Sequence, residues 1–184
     1  MFVLILFVGL SMVRPAGSAA PAGGAVTAPA PAPAGGVAPD ISNLTPIEAA
    51  TRLFNRVMTY VSQGDSAQAQ AFLPMAIAAY QRARPLDHDA LFHLSMLNRT
   101  AMNLEAALDD ALAILEEDPN HLLGLAAAAE AAIELGEPEE AERHYRHLFD
   151  IYDEEIERGL PEYEHHLAIV TVLKQDAERF LAGR

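Results

Sequence analysis

The chain has 184 residues, no cysteine and a formal net charge of −14. The lack of cysteine excludes disulfide bonds, zinc–thiolate sites, a cysteine nucleophile and a cysteine-linked lipid anchor. The whole negative excess lies in residues 105–184, which carry 21 acidic against six basic residues. Such a surface repels phosphate backbones, so we expect no binding to nucleic acid. Its acidity indicates either recruitment of a basic partner or a helical surface kept soluble by charge.

The N-terminus is apolar from Met1 to Val13, with only Gly9 and Ser11 as interruptions. This run is shorter than the roughly 20 residues of a membrane-spanning helix and fits the core of a signal peptide. No basic residue precedes it, although signal peptides begin with one. Two alternatives therefore stay open: the tail of a longer anchor helix, if the start codon is misplaced, and a buried core helix. We predict a signal peptide or membrane anchor over residues 1–14. The protein would then be exported, periplasmic or extracellular, or anchored with its following domain outside the cytoplasm.

Residues 15–40 are predicted to be a disordered linker. The 25 residues from Pro15 to Pro39 contain no charge and are rich in Ala, Pro and Gly. Such a composition cannot bury a core, and proline favours extended backbone. The linker is either a tether that holds the next domain away from a bilayer or an inert spacer.

Residues 41–184 are predicted to form one helical domain. Thr45–Glu48 has a capping threonine, a proline in the first turn and a glutamate three residues on, which is typical of a helix start. Apolar residues then recur at helical spacing, and no alternating strand pattern competes. Because Ala, Leu and Glu are good helix formers, the sequence predicts an all-α fold.

Three similar turns recur along this domain, each followed by a small anchor residue. The anchors are Ala69, Ala107 and Ala141, which lie 38 and then 34 residues apart. Regular spacing in this range is the sequence signature of a repeat array.

The segment from about Thr45 to Ile156 resembles three tetratricopeptide repeats (TPR), each a pair of antiparallel helices. The third copy has suitable residues at the family's packing positions: Leu125, Ala128, Ala129, Ala132, Gly136, Ala141, Tyr145 and Leu148. The middle copy departs at Met102, where the family prefers glycine, and the first at Arg56, where it prefers a large apolar residue. The resemblance implies a TPR-like α-solenoid that acts as a protein–protein interaction scaffold.

A final helix from about residue 161 is predicted to cap the stack. Its apolar residues recur three or four apart, at Tyr163, Leu167, Val170, Leu173, Ala177 and Leu181. Solenoids need such caps because the last repeat otherwise exposes an apolar face. Ile169, Val172 and Phe180 widen this stripe and leave room for a dimer contact.

The resemblance also implies a concave groove on the first helix of each repeat. The residues at its positions, which we call the inner groove, are Phe54, Asn55, Met58, Phe92, His93, Met96, Ala126 and Glu130. An aromatic residue and a methionine four apart share one helix face and would suit an amphipathic helix or extended peptide. The alternative is that these residues pack as core. Of the positions used by carboxylate-clamping relatives, only Asn55 could serve, so we expect no such clamp.

Metal and enzyme functions find little support in the motifs. His144 and His147 lie three apart on one helix, and Glu162-x-x-His165 is half of a di-iron motif whose second half is missing. We therefore predict no metal site and no cofactor. The common phosphate-binding, dinucleotide-binding and hydrolase motifs are absent, so we predict no enzymatic activity. Two functions stay open: an adaptor of the cell envelope that holds a partner peptide or helix, and a homo-oligomer assembled through the groove or the last helix.

Overall fold

The computed structural model describes residues 43–183, and this part of the chain is helical without any strand. The predictions of a signal or anchor over residues 1–14 and of a linker over residues 15–40 lie outside it. Within it, the helices are α1 (Pro46–Ser62), α2 (Ser66–Arg82), α3 (His88–Thr100), α4 (Leu104–Glu117), α5 (Leu122–Leu135), α6 (Pro138–Ile156), α7 (Pro161–His165) and α8 (Leu167–Ala182). The predicted all-α fold is confirmed.

The helices pack as three neighbouring pairs, α1 with α2, α3 with α4, and α5 with α6. Short turns join the members of each pair, so the two helices run antiparallel. The first helices also contact one another in the order α1, α3, α5, while α8 packs on α6 and α5. This is the predicted TPR-like α-solenoid with a C-terminal capping helix.

The three turns inside the pairs share one backbone conformation. Gly64, Met102 and Gly136 all have left-handed backbone, with φ of 72°, 61° and 79°. Glycine adopts this conformation without steric penalty, whereas a residue with a Cβ does so at a cost. Met102 adopts the same left-handed backbone as the two glycines despite its side chain, which is 70% exposed. A methionine in place of glycine at this position therefore adds backbone strain to the turn but leaves the path of the chain unchanged.

The core has two parts that meet at α3. One part joins α1, α2 and α3 and includes Leu53, Val57, Tyr80, Leu94 and Leu97. The other part runs from α3 to α8 and includes Ile114, Leu122, Leu148, Val170 and Leu173. Because the second part continues into α8, the last helix completes the apolar core at the end of the stack.

The C-terminal segment, which we define as residues 159–183, is not one continuous helix. It breaks at His166, between the short α7 and the longer α8. His166 therefore lies between the two helices and is not part of the helical face of α8. No helix within residues 43–183 is both long enough and apolar enough to cross a membrane.

Candidate functional site

The inner groove is less open than the sequence suggested. Four of its eight residues are buried, namely Phe54, Phe92, His93 and Ala126. Met58, Met96 and Glu130 are partly buried, and Asn55 is exposed. Phe54 and Phe92 are packed into the core, which is the alternative that the sequence left open for them. The predicted binding role of these residues stays a prediction.

The contact between Phe54 and His93 explains how α1 and α3 close together. Their rings stack with centroids 3.8 Å apart and an angle of 23° between the planes. The hydroxyl of Tyr80 lies 2.9 Å from Nδ1 of His93 and fixes the plane of the imidazole ring. Phe54 is 5% exposed and His93 is 6% exposed. At this end of the groove, only Asn55 and the edges of Met58 and Met96 reach solvent.

The middle of the groove is covered by the chain's own C-terminal segment. His166 packs its ring edge-on against Phe92, with centroids 5.0 Å apart. Its Nε2 lies 2.9 Å from Oδ1 of Asp89 and 3.1 Å from Nε2 of His93. Three residues of α3 therefore contact a residue more than 70 positions later in the sequence.

The short helix α7 is fixed to the start of α5 by polar contacts. His121 caps α5, since its Nδ1 accepts a hydrogen bond from the backbone N–H of Gly124 at 3.3 Å. Its Nε2 lies 3.1 Å from Oε1 of Glu162 in α7. Burial lowers the pKa of His121, and the contact with Glu162 only partly opposes this shift. Burial beneath α7 thus favours the neutral form of the capping imidazole.

A second polar cluster joins α7 to the end of α6. The hydroxyl of Tyr163 donates a hydrogen bond to Glu155 at 2.8 Å, and Arg158 lies 2.6 Å from the same carboxylate. Arg158 also lies 2.8 Å from Asp118, the residue that follows α4. Glu155 is 4% exposed, and its charge is balanced by these partners. The C-terminal segment is therefore tied to α3, α5 and α6 by its own residues.

At the far end of the groove, Glu130 is paired within the protein. Arg99 of α3 forms ion pairs with Glu130 and with Glu134 of α5, the second at 3.3 Å. Burial lowers the pKa of Arg99, and Glu134 opposes that shift. These contacts cross from the second repeat to the third, so Glu130 helps to join repeats as well as lining the groove.

The histidines singled out by spacing do not meet one another. His144 lies 3.0 Å from Glu140, and His147 lies 2.8 Å from the side-chain oxygen of Asn120. The groups that converge are instead Asp89, His93 and His166, and beside them His88, His121 and Glu162. The four-residue spacing of Asp89 and His93 was visible in the sequence. Their proximity to His166 was not, because it depends on how the C-terminal segment folds back.

A separate depression lies between α2 and the turn that joins α3 to α4. It has a volume of about 500 Å³, and Leu73, Pro74, Ile77 and Met102 are among the residues that line it. None of the inner-groove residues borders it.

Comparison with known proteins finds similarity among solved structures. No protein-family model matches the chain, and no curated protein matches it. Among solved structures, the chain is similar to a crystal structure of PcrH in complex with the chaperone-binding region of PopB. The similarity has a TM-score of 0.47 at 16% sequence identity and covers 72% of this chain and 94% of that chain. Because the TM-score is below 0.5, the assignment of the fold rests on the helix pairs described above.

Proposed function

We propose that the protein is a non-enzymatic scaffold of the cell envelope that binds a peptide or helix of another protein on its inner groove. The observation that carries the proposal is the row of first helices α1, α3 and α5, which contact one another in sequence and leave Met58 and Met96 partly exposed at the α1–α3 end. Helical repeat stacks present such faces to partners. The apolar N-terminal segment supports an exported or membrane-anchored location.

The part of the inner groove that is open to a partner is small, and it consists of two methionines and one asparagine. Met58 and Met96 are partly exposed while both pack against the first part of the core, and Asn55 beside them is exposed. Methionine side chains adapt to partners of different shape, and the amide of Asn55 can hydrogen-bond an extended backbone. A partner would therefore dock at the α1–α3 end, beside the region that the C-terminal segment covers.

A proximity-crosslinking pulldown in the native host tests this proposal. The test variant carries Met58→Glu and Met96→Glu, which place charge at the open end without replacing a fully buried residue. The matched control is Met75→Glu, since Met75 is 41% exposed on α2 and is not an inner-groove residue. Circular dichroism checks that both variants fold. We expect the double variant alone to lose a specific partner. Retention of every partner by a folded double variant would contradict the proposal.

A homo-oligomer is the second candidate, and one observation favours it. Leu167 and Val172 on α8 are 58% and 36% exposed, although α8 buries its other face in the core. A second copy of the chain would remove these apolar side chains from water. Light scattering over a range of protein concentrations separates the two functions. A dimer that is lost in a Leu167→Gln, Val172→Thr variant would favour self-assembly, whereas a monomer at all concentrations favours the scaffold.

A further inference from the structure

Asp89, His93 and His166 form a compact cluster between α3 and the break in the C-terminal segment. Their candidate ligand atoms all lie within 4.8 Å of one another. The carboxylate of Asp89 is 2.9 Å from Nε2 of His166, which is 3.1 Å from Nε2 of His93. His93 is buried, and the other two residues are partly buried. Three strong ligand groups therefore share a site that is largely shielded from water.

The cluster has too few hydrogens for its short contacts. A hydrogen on Nε2 of His166 can be donated to Asp89, but His166 then has no lone pair to accept from His93. A hydrogen on Nε2 of His93 can be donated to His166, but the lone pair of His166 then faces the carboxylate of Asp89. No combination of tautomers of His93 and His166 places a separate hydrogen in each of these two contacts. A cation bound by all three groups would satisfy every lone pair at once.

The hydroxyl of Tyr80 can fix His93 in the tautomer that a metal requires. Its phenol oxygen lies 2.9 Å from Nδ1 of His93 and can accept a hydrogen bond from that nitrogen. The lone pair of His93 is then on Nε2, which faces the cluster. A metal binds the neutral imidazole, which presents this lone pair.

The carboxylate of Asp89 is partly buried, and its Oδ1 lies 2.9 Å from Nε2 of His166. A carboxylate therefore lies beside two imidazoles in this cluster. Negative charge at a partly buried position is favourable only with a cationic or hydrogen-bonding partner.

The neighbouring cluster of His88, His121 and Glu162 lacks this property. Nδ1 of His121 accepts the N–H of Gly124 at 3.3 Å, so the hydrogen of the neutral ring is on Nε2. That nitrogen donates to Glu162 at 3.1 Å and has no lone pair for a metal. Proximity of histidines and a carboxylate is therefore not sufficient, and of these two clusters only the first has short contacts that no tautomer satisfies.

We propose that Asp89, His93 and His166 bind one divalent transition-metal ion, of which Zn²⁺ is the representative, and that this ion fixes the C-terminal segment to the second repeat. Two imidazoles and a carboxylate suit ions of borderline softness. Ligands of a tetrahedral zinc ion lie about 3.3 Å apart. The two contacts of His166, at 2.9 and 3.1 Å, need to lengthen by only a few tenths of an ångström, whereas Asp89 and His93, whose closest side-chain N and O atoms are 3.9 Å apart, have to approach each other. Three protein ligands leave a fourth position for water. This site is independent of the proposed partner-binding role.

The test is calorimetric titration of ZnCl₂ into the tag-free, metal-stripped full chain at pH 7.5. We expect one equivalent of Zn²⁺ to bind and to raise the melting temperature. Co²⁺ is a second probe, and we expect the visible absorption of a four-coordinate site with nitrogen and oxygen ligands. Loss of an outer-shell partner weakens metal sites about 10- to 100-fold, so loss of a ligand should weaken this one at least about 100-fold.

The variants that remove ligands are His166→Gln, at the break between α7 and α8, and Asp89→Asn, on α3, and both replace side chains that are not fully buried. The matched control is the double variant His144→Gln, His147→Gln, because those residues lie three apart on α6 and resemble an adventitious surface site. We expect the control to keep the affinity and the thermal shift of the intact chain. Binding that is lost in the control but kept in the two ligand variants overturns the proposal, as does the absence of stoichiometric binding to the intact chain. Circular dichroism establishes whether each variant is folded. If one of the two ligand variants does not fold, the other alone is sufficient for the test.

Discussion

The hydroxyl of Tyr163 accepts a hydrogen bond from the backbone N–H of Leu122 at 2.9 Å and so ties α7 to the first turn of α5. The first N–H groups of a helix have no partner within that helix. The same hydroxyl donates to Glu155 at 2.8 Å. One phenol group thus satisfies a helix start and a buried carboxylate together.

Tyr163→Phe is expected to destabilise the protein by about 1–3 kcal/mol, because a buried donor and a buried acceptor would each lose a partner. Urea unfolding followed by circular dichroism measures the change. Tyr60→Phe, on a partly exposed position of α1, is the control and should change stability by less than about 0.5 kcal/mol. Equal effects of the two substitutions would show that the Tyr163 hydroxyl contributes nothing specific.

Met102→Gly is expected to stabilise the protein by about 0.5–1 kcal/mol. The left-handed backbone at Met102 costs a residue with a Cβ about 1–2 kcal/mol, part of which the greater freedom of glycine in the unfolded chain offsets. The urea midpoint should therefore rise. Met102→Ala removes the same exposed side chain but keeps the Cβ, so it should give no such gain. A gain of the same size with alanine would assign the effect to the side chain and not to the backbone.

Leu173→Ala is expected to destabilise the whole domain by about 2–5 kcal/mol, since it leaves a cavity where α8 meets the core. Leu173 is 2% exposed. Val172→Ala, on the exposed side of the same helix, should have an effect below about 0.5 kcal/mol. Unfolding in urea, with hydrogen exchange in α5 and α6, gives the measurement. If only α8 loses protection while α5 and α6 keep theirs, the last helix is not part of the cooperative core.

Stability is expected to fall as the pH drops below about 6.5, with His121 as one cause. Burial lowers the pKa of His121 in the folded state, whereas the unfolded chain takes up a proton near pH 6.5. The unfolded state then binds more protons, so acid favours unfolding. Protonation also removes the lone pair that accepts the N–H of Gly124.

His121→Asn isolates the contribution of His121 to the pH dependence of stability, because asparagine can still cap α5 but does not titrate. The variant should be less stable at pH 7.5, where the packing of the ring is lost, yet should lose less stability than the parent between pH 7.5 and 5.5. Urea midpoints at several pH values give the two slopes. His147→Asn, at an exposed position on α6, is the control and should keep the parent slope. A parallel slope for His121→Asn would be contrary to the expected role of His121.

Local features of the fold were accessible from the sequence because they depend on residues close together in the chain. The capping box at Thr45 is one case: its backbone N–H donates to Glu48 at 2.8 Å, as the motif predicts. The left-handed turn at Gly136 is another. The residues of the inner groove could be placed on the right helices by their spacing. Their exposure could not, since burial of Phe92 depends on His166 and the path of the C-terminal segment.

The sequence by itself determined the all-α class, the three helix pairs and the presence of a final capping helix, because helical periodicity, turn residues and the repeat spacing are local properties. Only the tertiary structure decided how far the groove is open and which polar groups meet within it. Asp89 and His93 share a helix face by spacing alone, but His166 joins them only when the C-terminal segment breaks after α7 and packs over α3. That arrangement results from the simultaneous burial of Tyr163, Val170 and Leu173, whose combined effect no local pattern encodes.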